Sequence, residues 1–97
     1  METINKPQIT PLEMGETLKV LQIEGLAGMT MPPHSSSKEA VIVVQKGRAI
    51  LKMPERDHLL KSGSTFVVPA GKEHKLSIEA DFKAIAIMAV DSVINFI

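Results

Sequence analysis

The sequence predicts a small all-β protein, and three features of it lead to that prediction. Apolar runs rich in β-branched residues recur at short intervals along the chain. Glycines, prolines and charged residues that favour turns separate these runs. No stretch shows the sustained 3.6-residue apolar period of an amphipathic helix. Strands this short and this regularly interrupted favour a β-sandwich or a small barrel.

The predicted strands occupy most of the chain after an N-terminal arm. Pro7, Pro11 and Gly15 predict that residues 1–15 form a short irregular arm with a short extended piece in it. Strands are predicted over residues 17–25, 27–31, 40–45, 48–53, 58–61, 64–69, 73–80 and 81–90, and an apolar tail follows over 91–97. The run at 40–45 is apolar at successive positions, as expected for a strand packed on both faces.

Local turn signals set the limits of these strands. Pro32 and Pro33 are expected to stop the strand over residues 27–31, because proline cannot donate to the sheet. Lys46-Gly47 predicts a tight turn, since glycine adopts positive φ without steric cost. Further turns are predicted at 54–57, 62–63 and 70–71.

The composition restricts the class of protein. The 97 residues are predicted to form a single domain, 1–97, with its core at about residues 17–90. Lys plus Arg equals Asp plus Glu at 11 each, so no net field attracts nucleic acid or an anionic membrane. The absence of cysteine excludes disulfides, thiolate catalysis and cysteine-ligated metals. Neither a signal peptide nor a membrane-spanning run is visible, which predicts a cytoplasmic protein.

Glycine, proline and histidine recur at fixed spacing in two parts of the chain. In the first part, Gly28 is followed by five residues and His34, and Gly47 closes the segment. The second part contains, in order, Gly63, Pro69, Gly71 and His74. With these landmarks, over about half of its length, the chain resembles the cupin family. The resemblance implies a jelly-roll barrel, also called a double-stranded β-helix.

The resemblance also implies a metal site, of which this chain retains a part. In the family, two histidines and a glutamate of the first motif and the histidine of the second commonly bind a divalent metal. His34 and His74 match two of these ligands, while Ser36 stands at the second histidine and Ala40 at the glutamate. Residues 34, 36, 38 and 40 share parity, so they face the same way if the segment is extended. Half of the family's ligands, including its only carboxylate, are therefore absent.

Three interpretations of His34 and His74 follow. They line a polar pocket without a tightly held metal, or they hold a zinc, nickel, manganese or iron ion weakly, or they are structural histidines satisfied by hydrogen bonds. In the second interpretation water, a bound ligand or Glu39 completes the metal shell, and Glu39 needs a local bulge to face inward. Lys38, if it faces inward, would repel the ion. We favour the first because ligand number and charge govern metal retention.

The favoured interpretation is a small-molecule-binding protein with two histidine anchors on an apolar wall. The predicted ligand-binding residues are Met29, Met31, His34, Ser36, Phe66, His74 and Met88, with Ile42, Val44 and Leu51 as further candidates for the wall. His58 is expected to be exposed. The resemblance implies the alternative of a metal-dependent isomerase, oxygenase or decarboxylase, in which the metal is a Lewis acid or activates oxygen. A third class is a structural or sensor module, because one fold hosts many functions.

Two apolar segments predict self-association. The runs at 84–90 and 93–97 carry more apolar surface than a domain of 97 residues is expected to cover. Exposed apolar strands promote association unless they are paired or buried. We expect a homodimer, formed by packing of sheets or by exchange of the N-terminal arm.

Overall fold

The computed structural model describes residues 6–97, and all regular structure in that part of the chain is β-strand. The strands are β1 (Gln8–Met14), β2 (Leu18–Gly25), β3 (Thr30–Ser36), β4 (Ala40–Lys52), β5 (Asp57–Lys61), β6 (Thr65–Val68), β7 (His74–Ala89) and β8 (Ile94–Phe96). Within residues 6–97 there is no helix with the length and apolarity needed to cross a bilayer. The predicted all-β class is confirmed.

The two long strands β4 and β7 organise the sheet. They pair antiparallel along most of their length. On its other side β7 pairs first with β3 and then with β2, while β4 pairs first with β6 and then with β5. Strands β1 and β8 extend the sheet beside β2 and β3. The sheet curls into a half-barrel of the double-stranded β-helix type, as predicted, and its concave face holds the core.

Alternation along β7 builds that core. Every second residue from His74 to Met88 is buried except Ala80, which is half-buried, while the residues between them are half-buried or exposed. Phe82 is 2% exposed, and the small Ala84 beside it is completely buried. Full burial of a phenylalanine side chain such as that of Phe82 stabilises the fold by about 1.5–3 kcal/mol. The two-residue period therefore fixes which face of the sheet lines the interior.

The prolines of β3 do not end the strand, so the predicted stop at Pro32 is wrong. β3 continues through Pro32 and Pro33 to Ser36. Its pairing with β7 shifts register between Met31 and His34, which is where the two prolines lie. Because this irregular stretch makes no regular ladder, the missing proline N–H groups cost the sheet no hydrogen bond.

Lys46-Gly47 is a bulge within β4, so the predicted tight turn is wrong. The pairing of β4 with β7 is irregular from Val44 to Ala49, and Gly47 has a φ of 85°. A Cβ at Gly47 would collide with the backbone carbonyl oxygen of Asp81. Glycine is required here by its conformation and by the close approach of β7. The partner strand β7 is likewise continuous through this region. The sequence predicted separate strands over 73–80 and 81–90, and that division is wrong.

Both chain ends add strands to the half-barrel. The extended piece anticipated in the N-terminal arm is β1, which pairs with β2 at the edge of the sheet. Residues 1–5 of the predicted arm lie outside the described residues. The predicted apolar tail contributes β8, which pairs with β3 directly beside His34. The two ends thereby reach the part of the interior that holds the histidines.

Candidate ligand-binding site

His34 and His74 face each other across two neighbouring strands. They are direct partners in the antiparallel pairing of β3 and β7. Both residues are 7% exposed, and their ring centroids are 4.2 Å apart with the ring planes at 67°. The Gly71 N–H donates to the Ser36 carbonyl oxygen at 2.8 Å, which ties the loop before His74 to the end of β3. The two sequence motifs therefore meet at one place.

The hydrogen bonds of the two rings fix their tautomers. His34 Nδ1 lies 2.7 Å from the Pro32 carbonyl oxygen, and His74 Nδ1 lies 2.9 Å from the Lys72 carbonyl oxygen. A carbonyl oxygen only accepts hydrogen bonds, so Nδ1 carries the proton and donates in both rings. In a neutral imidazole with Nδ1 protonated, Nε2 is a lone-pair acceptor. Each ring therefore has one nitrogen held by the backbone and one left for a guest.

Burial keeps both rings neutral. Loss of hydration lowers the pKa of His34 and of His74 below the ordinary histidine value, because burial disfavours the charged imidazolium. The hydrogen bond to a carbonyl opposes this effect in each ring, and the nearby His34 lowers the pKa of His74 further. Both side chains are therefore uncharged at neutral pH.

Two adjoining cavities of about 50 Å³ each lie beside the histidines. They share six lining residues, which are Ile23, Met31, His34, Ile42, Val68 and His74. A water molecule takes up about 30 Å³ in the liquid, and an apolar cavity of about 150 Å³ accepts benzene. The interior of the half-barrel therefore suits a guest of a few heavy atoms.

The first cavity contains the positions where the family's other metal ligands are expected. Ser36, which is 5% exposed, and Ala40, which is 4% exposed, both line it. Ser36 faces inward because it lies two residues after His34 on β3, whereas Ala40 begins β4 after a non-strand segment at 37–39. Lys38, which has the same parity, lies in that segment and faces outward, so the segment from 34 to 40 is not extended throughout. Among the described residues that line either cavity, the polar side chains are those of His34, Ser36 and His74, and all others are hydrocarbon or thioether. The site is therefore two imidazoles and one hydroxyl on an apolar wall.

The structure separates the remaining predicted wall residues into two groups. Met31, Ile42, Leu51 and Met88 line the cavities beside the histidines. Val44 is buried in the core, and Met29 packs against the core, where its sulfur accepts a hydrogen bond from the Leu26 N–H at 3.3 Å; neither lines a cavity.

Phe66 also lies outside the two cavities. Its ring centroid is 4.6 Å from that of His58, in a separate open cleft between β5 and β6. The contact leaves His58 half-buried, where the sequence predicted an exposed side chain. Phe66 and His58 therefore form a surface pair apart from His34 and His74.

Two cavity residues come from segments that the sequence analysis placed outside the site. Ile9 of β1 and Ile94 of β8 line the first cavity. The only sequence signal for either is a single apolar residue between polar or exposed neighbours, as in Gln8-Ile9-Thr10. A period of two is visible there, but three residues are too few to distinguish a strand from an irregular arm.

The donor set does not fit a tightly held divalent metal. Glu39 is exposed, so it does not join the histidines. Lys38 also faces outward, where its Nζ lies 2.8 Å from Asp91 Oδ2. The described part of the chain contains no group of three or more histidine, cysteine or acidic side chains placed to hold an ion. Catalytic zinc and non-haem iron sites use three protein ligands, and here two neutral imidazoles and a weakly coordinating hydroxyl are present.

Comparison with known proteins identifies the sequence family. The sequence model described as "Cupin domain" matches residues 25–90, which include His34, His74 and the strands that carry them. None of the curated proteins matches the sequence significantly.

Solved structures share the fold at low sequence identity. An uncharacterised conserved protein with a double-stranded β-helix domain from Klebsiella pneumoniae has a TM-score of 0.85 at 14% identity, covering 99% of this chain and 83% of that one. A cupin superfamily protein from Desulfitobacterium hafniense has a TM-score of 0.80 at 16% identity, covering 94% and 84%. The DMSP lyase DddQ from Ruegeria pomeroyi has a TM-score of 0.80 at 19% identity, covering 91% of this chain and 51% of the lyase.

Proposed function

This chain belongs to the cupin family, and from that premise we propose that it binds a small molecule inside its half-barrel without a tightly held metal. The observation that carries the proposal is the pair of buried imidazoles, 4.2 Å apart, beside an otherwise apolar cavity. Their Nδ1 atoms are held by backbone carbonyls, so Nε2 is the atom of each ring that can contact a guest.

The accessibility of the two Nε2 atoms supports a guest in this position. Neither ring has a fully buried nitrogen without a hydrogen-bond partner, so each Nε2 remains open to the cavity while the surrounding wall is hydrocarbon or thioether. A molecule that donates a hydrogen bond to the histidines and contacts the wall gains a net hydrogen-bond contribution of about 0.5–1.5 kcal/mol and adds apolar burial. The arrangement is therefore suited to binding, with the histidines as anchors and the wall as the contact surface.

Thermal shifts with a panel of compounds of three to six heavy atoms test this function. A compound present at a concentration about a hundred times its Kd stabilises the native protein by about 2.7 kcal/mol. We expect at least one compound of the panel to raise the melting temperature clearly. The rise should disappear in His74→Leu and persist in His58→Gln, because His58 lies outside the cavities. Shifts of equal size in both variants, or no shift with any compound, would contradict the proposed function.

The second candidate is a metal-dependent enzyme of the isomerase, oxygenase or decarboxylase kind. Metal-binding histidines usually donate their other ring nitrogen to a backbone carbonyl or a carboxylate, and both rings here do so. The fold likeness to a DMSP lyase also agrees with an enzyme. The shortage of ligands described above favours the first candidate.

Metal titration of untagged protein separates the two candidates. We expect zinc, nickel, manganese and iron to leave the melting temperature unchanged, or to change it equally in wild type and in His34→Ala. A rise that His34→Ala alone loses, together with metal retained through purification, would support the enzyme instead. A protein that responds neither to metals nor to small molecules would be the structural or sensor module.

A further inference from the structure

We infer that the guest of this cavity is a small neutral molecule whose head group donates hydrogen bonds, such as a primary amide or an alcohol, on a short aliphatic body. This inference rests on the proposed binding function and specifies its ligand class. It comes from the hydrogen-bond polarity of the site, which the two tautomers determine.

The two imidazoles present acceptors to the cavity. Because Nδ1 of His34 donates to the Pro32 carbonyl oxygen and Nδ1 of His74 donates to the Lys72 carbonyl oxygen, neither ring can turn an N–H toward a guest while it is neutral. Two lone pairs on neighbouring rings, with centroids 4.2 Å apart, require a partner that donates. An amide NH₂ group offers two such hydrogens, and a hydroxyl offers one.

The same polarity excludes anions. A carboxylate or phosphate only accepts hydrogen bonds, so it meets lone pairs at both histidines. No lysine or arginine is among the described residues that line the cavities. Lys72 and Lys75, which flank His74 in the sequence, are exposed. Lys38 is exposed as well and is paired with Asp91. While both rings are neutral, a carboxylate would therefore lose its hydration without gaining a countercharge.

Organic cations are excluded for a related reason. An ammonium group can donate to both Nε2 atoms, but the cavity wall contains no carboxylate among the described residues. Transfer of an unpaired charge into an apolar site costs much more than transfer of a neutral amide or hydroxyl. The neutral donor is the head group that satisfies the rings at the lowest desolvation cost.

Ser36 supplies the complementary half of the recognition. Its side chain is buried, faces the same cavity as His34, and belongs to the same strand two residues along. A hydroxyl can donate as well as accept, so it can serve a carbonyl or hydroxyl oxygen of the guest. A primary amide, which combines an NH₂ donor with a carbonyl acceptor, uses all three polar groups of the site.

Propionamide and propionate are matched probes of this inference, since they have similar size and differ in hydrogen-bond polarity and charge. The experiment titrates each compound at about pH 7.5 into protein labelled with ¹⁵N at histidine, and follows the ring nitrogens of His34 and His74 by NMR. In the free protein both rings are expected to be protonated at Nδ1, and propionamide is expected to shift their Nε2 signals while propionate leaves them unchanged. The ring of His58 is the internal control and should respond to neither compound.

The outcomes separate the ligand class from the binding function. If propionate perturbs both Nε2 signals as strongly as propionamide, the donor class is wrong and the binding function stands. If the free rings are protonated at Nε2, the ligand class is wrong whatever binds. If neither compound shifts either ring, the ligand class is overturned, and the thermal shifts with the compound panel decide the binding function separately.

A pair of serine variants tests the second half of the recognition. Ser36→Ala is expected to weaken propionamide binding by several-fold to about tenfold, which corresponds to the loss of one hydrogen bond. Ser35→Ala is the matched control, because Ser35 alternates to the other face of β3 and lines neither cavity. Equal affinities in Ser36→Ala and wild type would remove Ser36 from the recognition.

Discussion

At the scale of single residues, burial determines the properties of the two site histidines. Each ring has exchanged its hydration for one carbonyl partner at Nδ1 and a largely apolar surrounding at Nε2. Desolvation outweighs the carbonyl hydrogen bond, so the pKa of each imidazole is lowered. The two buried imidazoles of the native state therefore stay neutral at a pH at which an exposed histidine would already take up a proton.

This property predicts an acid-sensitive stability. The pKa of an unfolded histidine is about 6.5, and the folded values of His34 and His74 lie below it. As pH falls through about 6.5 toward the folded pKa values, the unfolded chain binds more protons than the native one, so stability is lost. Above about 6.5 the contribution is fully present. We expect the melting temperature to fall between about pH 7.5 and about pH 5.

Removal of the two rings provides the comparison. The double variant His34→Gln/His74→Gln should lose less stability over the same pH range than wild type, while His58→Gln should follow wild type. Two exposed carboxylates act at more acidic pH: a backbone hydrogen bond and Lys72 lower the pKa of Glu55, and Lys38 lowers the pKa of Asp91. Identical pH profiles by circular dichroism for the double variant and wild type would show that burial of the rings has no such effect.

The sequence was sufficient for the polar part of the site and insufficient for its apolar part. Spacing and strand parity select His34, Ser36 and His74, because both are read directly along the chain. The depth at which a methionine or phenylalanine packs depends on strands distant in sequence. Met31 therefore reaches the cavity, and Met29, two residues away on the other side of the β3 boundary, does not.

At the scale of elements, the bulge in β4 connects the two ends of the half-barrel. β4 pairs with β6 before Gly47 and with β5 after it, and β7 accompanies both parts. The irregular register at Gly47 lets one strand change direction without a turn. The first half of β4 contributes Ala40 and Ile42 to the cavities, and the second half contributes Leu51.

Substitution of this glycine is expected to be strongly destabilising. Gly47→Ala adds a left-handed conformational cost of about 1–2 kcal/mol and an overpacking cost of about 1–3 kcal/mol against Asp81. The total of about 2–5 kcal/mol lowers the melting temperature by roughly 8–40 °C in a domain of this size. Urea or thermal unfolding followed by circular dichroism measures the change.

Gly63→Ala is the matched control for the bulge. Gly63 also has a positive φ, 89°, but an added Cβ meets no heavy atom within 4 Å. Gly63→Ala should therefore lower the free energy of unfolding only by the conformational cost, about 1–2 kcal/mol. If the two variants lose the same stability, the contact between Gly47 and the β7 backbone is not what requires glycine.

Most strands were predictable from local signals, and the errors have a common cause. Turn residues correctly separated β5 from β6 and β6 from β7. Gly47 and the two prolines of β3 carry the same local signals, but the long partner β7 keeps the chain extended through both places. A bulge and a turn use the same residue types, so the sequence alone does not distinguish them.

At the scale of the whole molecule, an apolar row crosses the outer face of the sheet. Val67, Val41, Ile87 and Val20 are successive direct partners on β6, β4, β7 and β2. Val41 is 37% exposed and Val67 is 51% exposed. A row of adjacent apolar side chains on one face favours packing against a second apolar face. We propose that two copies of the chain pack their sheets together along this row.

Sedimentation velocity at micromolar concentration tests the dimer. Wild type is expected to sediment as a dimer, and Val41→Lys as a monomer, because the substitution places a charge at the centre of the apolar row. Leu59→Lys is the matched control: Leu59 is 52% exposed but pairs with Ile50 in the other half of β4, so its dimer should persist. If Val41→Lys remains a dimer and truncation of residues 1–7 abolishes it, the copies associate by exchange of the N-terminal arm. If wild type is a monomer, the apolar row does not pair with that of a second copy, and the predicted homodimer is wrong.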